Sequence, residues 1–301
     1  MKSFWMFPGQ GSQHAGMLAS VPADEIGRVA DVAGVQLDDQ DYQDGVQVQL
    51  AILTLQMWQV DHLKNQGFSP TVVGGHSLGV FAAAYAAGVY DKDSLIQIVK
   101  KRAELMLSAY PTGYGMGVVV GLTRDEVEGL VAMVNSSSNP VFTSNQNAEL
   151  QVAVSGKLTA VDQVLKLAYS HGASKAKRLK VPVLSHAPLM NAVADQLTEV
   201  INQCPVHDPQ ALYLANYNGH LERQVDEIKF DLGHNLAYPV FWDQMLDVAT
   251  ELDLDVAVEF SPGTVLSGLL SHKDSDLRRI PLDQYGIDDG CYLLEKIEKK
   301  Q

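Results

Sequence analysis

The sequence predicts an α/β protein: a large unit with a mainly parallel sheet, interrupted by a small ferredoxin-like unit. Three observations carry this. Short apolar strands alternate with helix-period segments in the first 110 residues, as βαβ units require. A turn-rich stretch, YPTGYGMG, then opens two strand–helix–strand units in succession, the order of a split βαβ pair. After these the alternation of the first part resumes.

Residues 3–7 (SFWMF) form an apolar run that stops at Pro8-Gly9, the pattern of a buried strand. Residues 47–66 carry apolar positions at helical spacing and end at Gly67, a helix stop. Thr71-Val72-Val73 is a short β-branched strand. FAAAYAAG, after Gly79, is Ala-rich and helical and ends at Gly88. Asp91 or Asp93 can cap a further helix that runs to about Tyr110. In the middle, strands are expected at Met116–Val120, Val141–Thr143, Gln151–Val154 and about Ala176–Val181. Helices fall at about Arg124–Val134 and Thr159–His171. Ala211–Ala215 and Val256–Phe260 read as later strands of the large unit. The expected organisation is therefore 1–112 and 183–301 for the large catalytic part and 113–182 for the insertion.

The 301 residues include 46% hydrophobic and 19% charged residues, the composition of a packed globular chain. No apolar run is long enough to span a bilayer. The apolar stretch at the N-terminus is too short for a signal peptide, so a cytoplasmic protein is expected. Cys204 and Cys291 are far apart and in no metal-like spacing, which points to a reduced compartment and no metal site. A net charge of −14 argues against nucleic acid as the main partner, because phosphate binding needs a basic surface.

The sharpest chemical signal is Gly75-His76-Ser77-Leu78-Gly79. It is a G-x-S-x-G sequence between an expected strand and an expected helix, the nucleophile elbow of an α/β-hydrolase-like sheet. The turn leaves no room for side chains beside the serine, hence the glycines. The following helix offers free N–H groups and a positive dipole end to a developing oxyanion. A serine hydroxyl needs a base. His76 adjoins Ser77, but neighbouring side chains on an extended segment point apart. His186 follows the apolar VPVL and precedes Ala-Pro-Leu-Met, on a loop after an expected strand. Asp243 and Glu259 are available as a third member of a triad.

Several segments together resemble malonyl-CoA:acyl carrier protein transacylases. They are FPGQGSQ (Phe7–Gln13), GHSLG (Gly75–Gly79), KRAELM (Lys101–Met106), VPVLSHAPLM (Val181–Met190), NLAYPVFW (Asn235–Trp242) and SPGTVLSGLL (Ser261–Leu270). They cover nearly the whole chain in the family's order. SAYPTGYGM (Ser108–Met116), and Val80 where biosynthetic transacylases usually carry an acid, are similar to one branch, the malonate decarboxylase epsilon subunit. That branch loads the decarboxylase's own carrier protein.

The resemblance implies Ser77 as nucleophile and His186 as base. It implies the backbone carbonyl of Asn235 as the group that orients the histidine, ahead of Asp243 and Glu259. Gln10 and Leu78 would supply oxyanion donors through their N–H groups. Arg102, which its neighbours Lys100 and Lys101 would otherwise mark as a solvated basic face, would fork onto the free carboxylate of malonate. Malonyl-CoA would be the substrate, with no tightly held cofactor and no metal. The partner would be an acidic carrier protein, and an acidic enzyme would meet it through a local basic patch. Lys175, Lys177, Arg178 and Lys180 form one such cluster, Arg278 and Arg279 a smaller one. Two rivals remain at this stage: a serine esterase or thioesterase, which does not need Arg102, and a non-catalytic assembly subunit.

Overall fold

The structure, a computed structural model, describes residues 1–110, 112–179 and 183–300. The chain opens with β1 (Ser3–Phe7), α1 (Ala23–Ala33) and α2 (Gly45–Asn65), then β2 (Val72–Gly75), α3 (Gly79–Ala86) and α4 (Lys92–Ala109). The middle runs β3 (Tyr114–Val120), α5 (Arg124–Val134), β4 (Val141–Ala148), β5 (Gln151–Lys157), α6 (Leu158–Ser170) and β6 (Lys175–Arg178). After a 3₁₀ turn at Pro188–Met190 come α7 (Asn191–Gln203), β7 (Leu212–Leu214), β8 (Leu221–Glu222), α8 (Val225–His234) and α9 (Trp242–Thr250). The chain closes with β9 (Val256–Glu259), α10 (Val265–Lys273), β10 (Arg278–Pro281), α11 (Leu282–Tyr285) and α12 (Ile287–Glu298).

A six-stranded sheet has the order β10-β9-β1-β2-β7-β8. Its first five strands are parallel and β8 returns antiparallel to β7. A second sheet, of four strands, has the order β4-β5-β3-β6 and is antiparallel throughout. With α5 and α6 it is the expected ferredoxin-like arrangement. Strand β1 is buried along its whole length, as a central parallel strand must be. Its Phe7 stacks on Phe260, with ring centroids 4.2 Å apart.

Helix α2 is buried on nearly every side, so it runs through the core rather than over it. The side chain of Asp44 caps it by accepting from Val46 and Gln47 N–H. Its polar side chains are held inside the protein: Gln56 Nε2 donates to Pro8 O at 2.9 Å, and Gln59 Nε2 to Ser261 Oγ at 2.9 Å. These bonds tie the helix to the loops after β1 and β9. Asp91 caps α4 through Ser94 N–H, and Thr123 with Glu126 forms a capping box on α5.

The small sheet is fastened near the site to the loop between α8 and α9. Gln146 N donates to Val240 O at 2.8 Å. Strand β6 ends at Arg178, so Leu179 falls outside it, and Lys180 and Val181, the rest of the strand expected to Val181, lie outside the described residues. Among the described residues, no helix is long and apolar enough to cross a membrane.

Candidate active site

Strand β2 and helix α3 meet at a turn in which Ser77 has φ +54°. This left-handed conformation is strained for a residue with a side chain and persists only where the surroundings hold it. The flanking glycines are required sterically. A Cβ on Gly75 would stand 2.1 Å from Gly79 C, and one on Gly79 would stand 1.9 Å from Phe7 O. The turn is fixed by bonds from His76 N to Phe7 O (2.8 Å), Gly79 N to His76 O (3.0 Å) and Val80 N to Ser77 O (3.2 Å). None of them uses the N–H of Leu78. The glycine loop after β1 lies against this turn, since a Cβ on Gly9 would stand 3.5 Å from Leu78 N. Gln10 borders the same pocket as Ser77 and His186.

Ser77 and His186 lie 109 positions apart in the chain, yet Ser77 Oγ is 2.8 Å from His186 Nε2. His186 Nδ1 lies 3.1 Å from the carbonyl oxygen of Tyr238. A carbonyl can only accept, so Nδ1 carries the proton and Nε2 is free to take one from the serine. Burial first, then the charges of Arg102 and His76, push the His186 pKa down to about 3. The imidazole is therefore neutral, as a base must be.

The carbonyl in hydrogen-bond geometry is that of Tyr238, and the carbonyl of Asn235, the one expected, also pulls on the imidazole proton. The cause is local. After α8 ends, Ala237 N and Tyr238 N both bond back to His234 O, at 2.9 and 3.1 Å. This turn aims the Leu236 and Tyr238 carbonyls at the His186 loop, where Leu236 O accepts from His186 N at 2.6 Å. Asn235 uses its side chain elsewhere, in the Arg102 cluster.

Arg102 is only 1% exposed. Its two terminal nitrogens donate to Gln49 Oε1 at 2.6 Å and Asn235 Oδ1 at 3.0 Å, and the second also reaches Ser77 Oγ at 3.4 Å. All three acceptors are neutral, and Nε has no partner. Burial lowers the pKa to about 9, with no acid offsetting it. The guanidinium is thus a desolvated cation beside the serine, without an anion. The solvated basic face suggested by Lys100 and Lys101 does not extend to it.

The two candidate acids do not touch His186. Asp243 pairs with Lys273 at 2.9 Å and accepts from Gln146 at 3.3 Å. Glu259 accepts from Leu266 N (2.9 Å) and Ser267 N (2.6 Å) at the start of α10. His76 turns away from the serine to Asn147, its Nε2 2.8 Å from Oδ1, with its ring edge on Trp242. Among the described residues no cluster of three or more His, Cys, Asp or Glu could hold a metal ion.

Of the basic clusters, Arg178 is engaged by Asp162. Lys175 and Lys177 are exposed and pair across to Val120 and Val118. Alternation along β3 puts Val118 on the face of Met116, which lines the pocket. Both lysines therefore stand on the pocket side of the small sheet. Arg279 is taken up by the carbonyls of Asp274 and Leu277, each at 2.8 Å.

Sequence reasoning missed Gln49, Tyr238 and Asn216. Gln49 had a signal, a polar residue inside an apolar helix. Tyr238 acts through its backbone and had none. Asn216 lies beneath the elbow, its Oδ1 accepting from Ser77 N at 3.0 Å.

Residues 4–274 match the family described as the acyl transferase domain. The malonyl CoA-acyl carrier protein transacylase of Haemophilus influenzae is 31% identical over 301 aligned positions, covering 94% of this chain and 96% of that one. The transacylase of the same name from Bacillus subtilis is 29% identical, covering 93% and 92%. The structure of the malonyl CoA-acyl carrier protein transacylase from Coxiella burnetii superposes with a TM-score of 0.92 at 28% identity, covering 99% and 98%. A malonyl-transacylase solved in complex with its type II polyketide synthase acyl carrier protein gives 0.90 at 28% identity, covering 97% and 100%.

Proposed function

The chain belongs to the acyl transferase domain family, and from that premise we propose that it moves malonyl from coenzyme A to the prosthetic thiol of an acyl carrier protein. His186 Nε2 takes the proton of Ser77 Oγ as the oxygen attacks the thioester carbon. The tetrahedral oxyanion is met by the N–H groups of Gln10 and Leu78. The intermediate collapses, the C–S bond breaks, and the histidine's proton passes to the departing coenzyme A sulfur. The malonyl ester on Ser77 is then attacked by the carrier thiol, with His186 taking the thiol proton and returning it to the serine oxygen. The Tyr238 carbonyl, with Asn235 beside it, holds the imidazole in the required tautomer without adding a negative charge.

The observation that carries malonyl over other acyl groups is Arg102: a buried cation 3.4 Å from the nucleophile with only neutral partners. A dicarboxylate half-thioester brings the missing anion, and the planar guanidinium suits it. An acetyl group leaves the cation unpaired. No metal or held cofactor takes part in this cycle. A cytoplasmic setting, where malonyl-CoA and carrier proteins meet, suits the reaction. The catalytic unit is 1–112 with 183–301, and 113–182 is an insertion that walls the pocket; residues 180–182 at that boundary lie outside the described residues.

Within the family, Val80 and the SAYPTGYGM segment support the epsilon-subunit role in malonate decarboxylase. Val80 is fully buried in α3, a position that suits an apolar residue better than an acid. The test offers malonyl-CoA with two carriers, a fatty-acid carrier bearing phosphopantetheine and a decarboxylase carrier bearing its dephospho-coenzyme A-type arm. Carrier-dependent release of coenzyme A, with malonyl found on the carrier thiol, supports transfer. Release at an equal rate without any carrier replaces the transferase with a hydrolase. Preference for the fatty-acid carrier removes the decarboxylase assignment.

A further inference from the structure

We infer that Asn216 is the positioning residue that sets Ser77 against His186, a role that rests on the acyl-serine chemistry proposed above. Asn216 follows β7 and is 1% exposed. All four of its polar groups are used. Its Oδ1 accepts from Ser77 N at 3.0 Å, and its Nδ2 donates to Gly75 O at 2.6 Å. Its side chain thus clasps the elbow on both sides of the strained residue. Its backbone carbonyl accepts from Phe241 N at 2.9 Å. Phe241 ends the segment that starts at Tyr238, whose carbonyl orients His186. One residue therefore holds both the loop that carries the nucleophile and the loop that aims the base.

Asn216 is itself anchored. Its N–H donates to Asp231 Oδ1 at 2.9 Å, an oxygen that also accepts from Tyr217 N at 3.1 Å, while Asp231 Oδ2 accepts from Tyr213 OH at 2.7 Å. Asp231 lies in α8, the helix that leads into the His234–Tyr238 turn. The anchor thus belongs to the element that presents the orienting carbonyl. The arrangement also settles which donor of the elbow remains for substrate. Ser77 N–H is occupied by Asn216, and Leu78 N–H is left for an oxyanion.

The test is rapid-quench intact-mass kinetics with saturating malonyl-CoA, comparing wild type with Asn216→Ala. A misplaced nucleophile slows the chemical step, and displacement of about 1 Å costs about 10²-fold. The expected result is a rate constant for Ser77 acylation lower by about that factor, a half-saturating malonyl-CoA concentration within about 2-fold of wild type, and a full amplitude. A fold defect would instead lower the amplitude, the fraction of chains that acylate, and leave the rate constant alone. That outcome overturns the inference, as does a wild-type rate. Val164→Ala, a cavity in the small sheet's own core, controls for lost stability and should keep the wild-type rate constant. Asn216→Ser keeps a hydroxyl in the same space but cannot span from Ser77 to Gly75; it gives the same reading if the alanine variant does not accumulate. Failure of wild type itself to acylate would overturn the transferase reading and this inference with it, whereas a wild type that acylates beside an equally fast Asn216→Ala sinks this inference alone.

Discussion

Replacing Arg102 by alanine removes a cation that is 1% exposed and held by Gln49 at 2.6 Å and Asn235 at 3.0 Å. These two amides fix the guanidinium before substrate arrives, so little ordering is left for binding. Truncating one partner of a buried, hydrogen-bonded charge pair costs about 2–5 kcal/mol. The middle of that range, about 3–4 kcal/mol, corresponds to a fall of about 10²–10³ in kcat/KM for malonyl-CoA. Acetyl-CoA should respond in the opposite sense. In the wild type it leaves the desolvated guanidinium unpaired, a penalty that the alanine variant no longer carries. Acetyl transfer should therefore hold or rise, and the malonyl-to-acetyl ratio should collapse. Arg102→Lys keeps a charge but not the fork, and should fall between the two. The assay is the initial rate of acyl-serine formation with each thioester, followed by intact mass, with thermal melting to confirm a folded variant. Wild-type malonyl efficiency in Arg102→Ala, with no gain of acetyl transfer, would refute the argument.

Burial, with Arg102 and His76, depresses the His186 pKa from 6.5 to about 3. The active form is neutral, so kcat/KM should stay flat as pH falls through 6.5, and Arg102→Ala, by removing one of the depressing charges, should move the acid limb up. An unshifted limb in that variant would break the link. Asp243→Asn and Glu259→Gln should keep most activity, since neither acid contacts His186; a loss of about 10⁴-fold in either would restore a triad acid. Burial raises the Glu259 pKa from 4.5 to about 7. Its folded form thus holds a proton that the unfolded chain gives up, and its contribution to stability, full below 4.5, is lost as pH rises through about 7. Glu259→Gln should flatten that loss in melts at acidic and basic pH, and an unchanged slope would count against it. Lys175→Glu with Lys177→Glu should raise KM for the carrier but not for malonyl-CoA, and an unchanged carrier KM would take β6 out of the docking surface.

The fold was legible where local signals agreed. The strand at residues 3–7 and the helix at 124–134 have the expected bounds, because an apolar run with a Pro-Gly stop defines one and a capping box defines the other. The strand at Arg278–Pro281 was read only as a pair of charges. Its pairing with β9 is a tertiary fact, and Arg279 spends its charge on local carbonyls. At the site, Ser77 was marked by its G-x-S-x-G setting between strand and helix, whereas His186 was singled out among nine histidines by the resemblance of VPVLSHAPLM to the transacylases. The Tyr238 carbonyl, which stands beside that of Asn235 at the imidazole, was not legible because a backbone carbonyl has no residue type, and the turn after α8 decides which carbonyls point inward. Gln49 was legible in principle: in a helix buried on nearly every side, a polar residue must face a polar partner. Asn216 had no such mark, since its place beneath the elbow comes from the pairing of β2 with β7.

The most direct test of the central claim is intact-mass measurement of the protein after brief mixing with malonyl-CoA, beside an acetyl-CoA sample and the Ser77→Ala variant. A malonyl adduct on the wild type alone, cleared when carrier protein is added and yielding malonyl-carrier, is the predicted result. An adduct that also forms on Ser77→Ala, or coenzyme A released steadily with no adduct and no need of carrier, would contradict it.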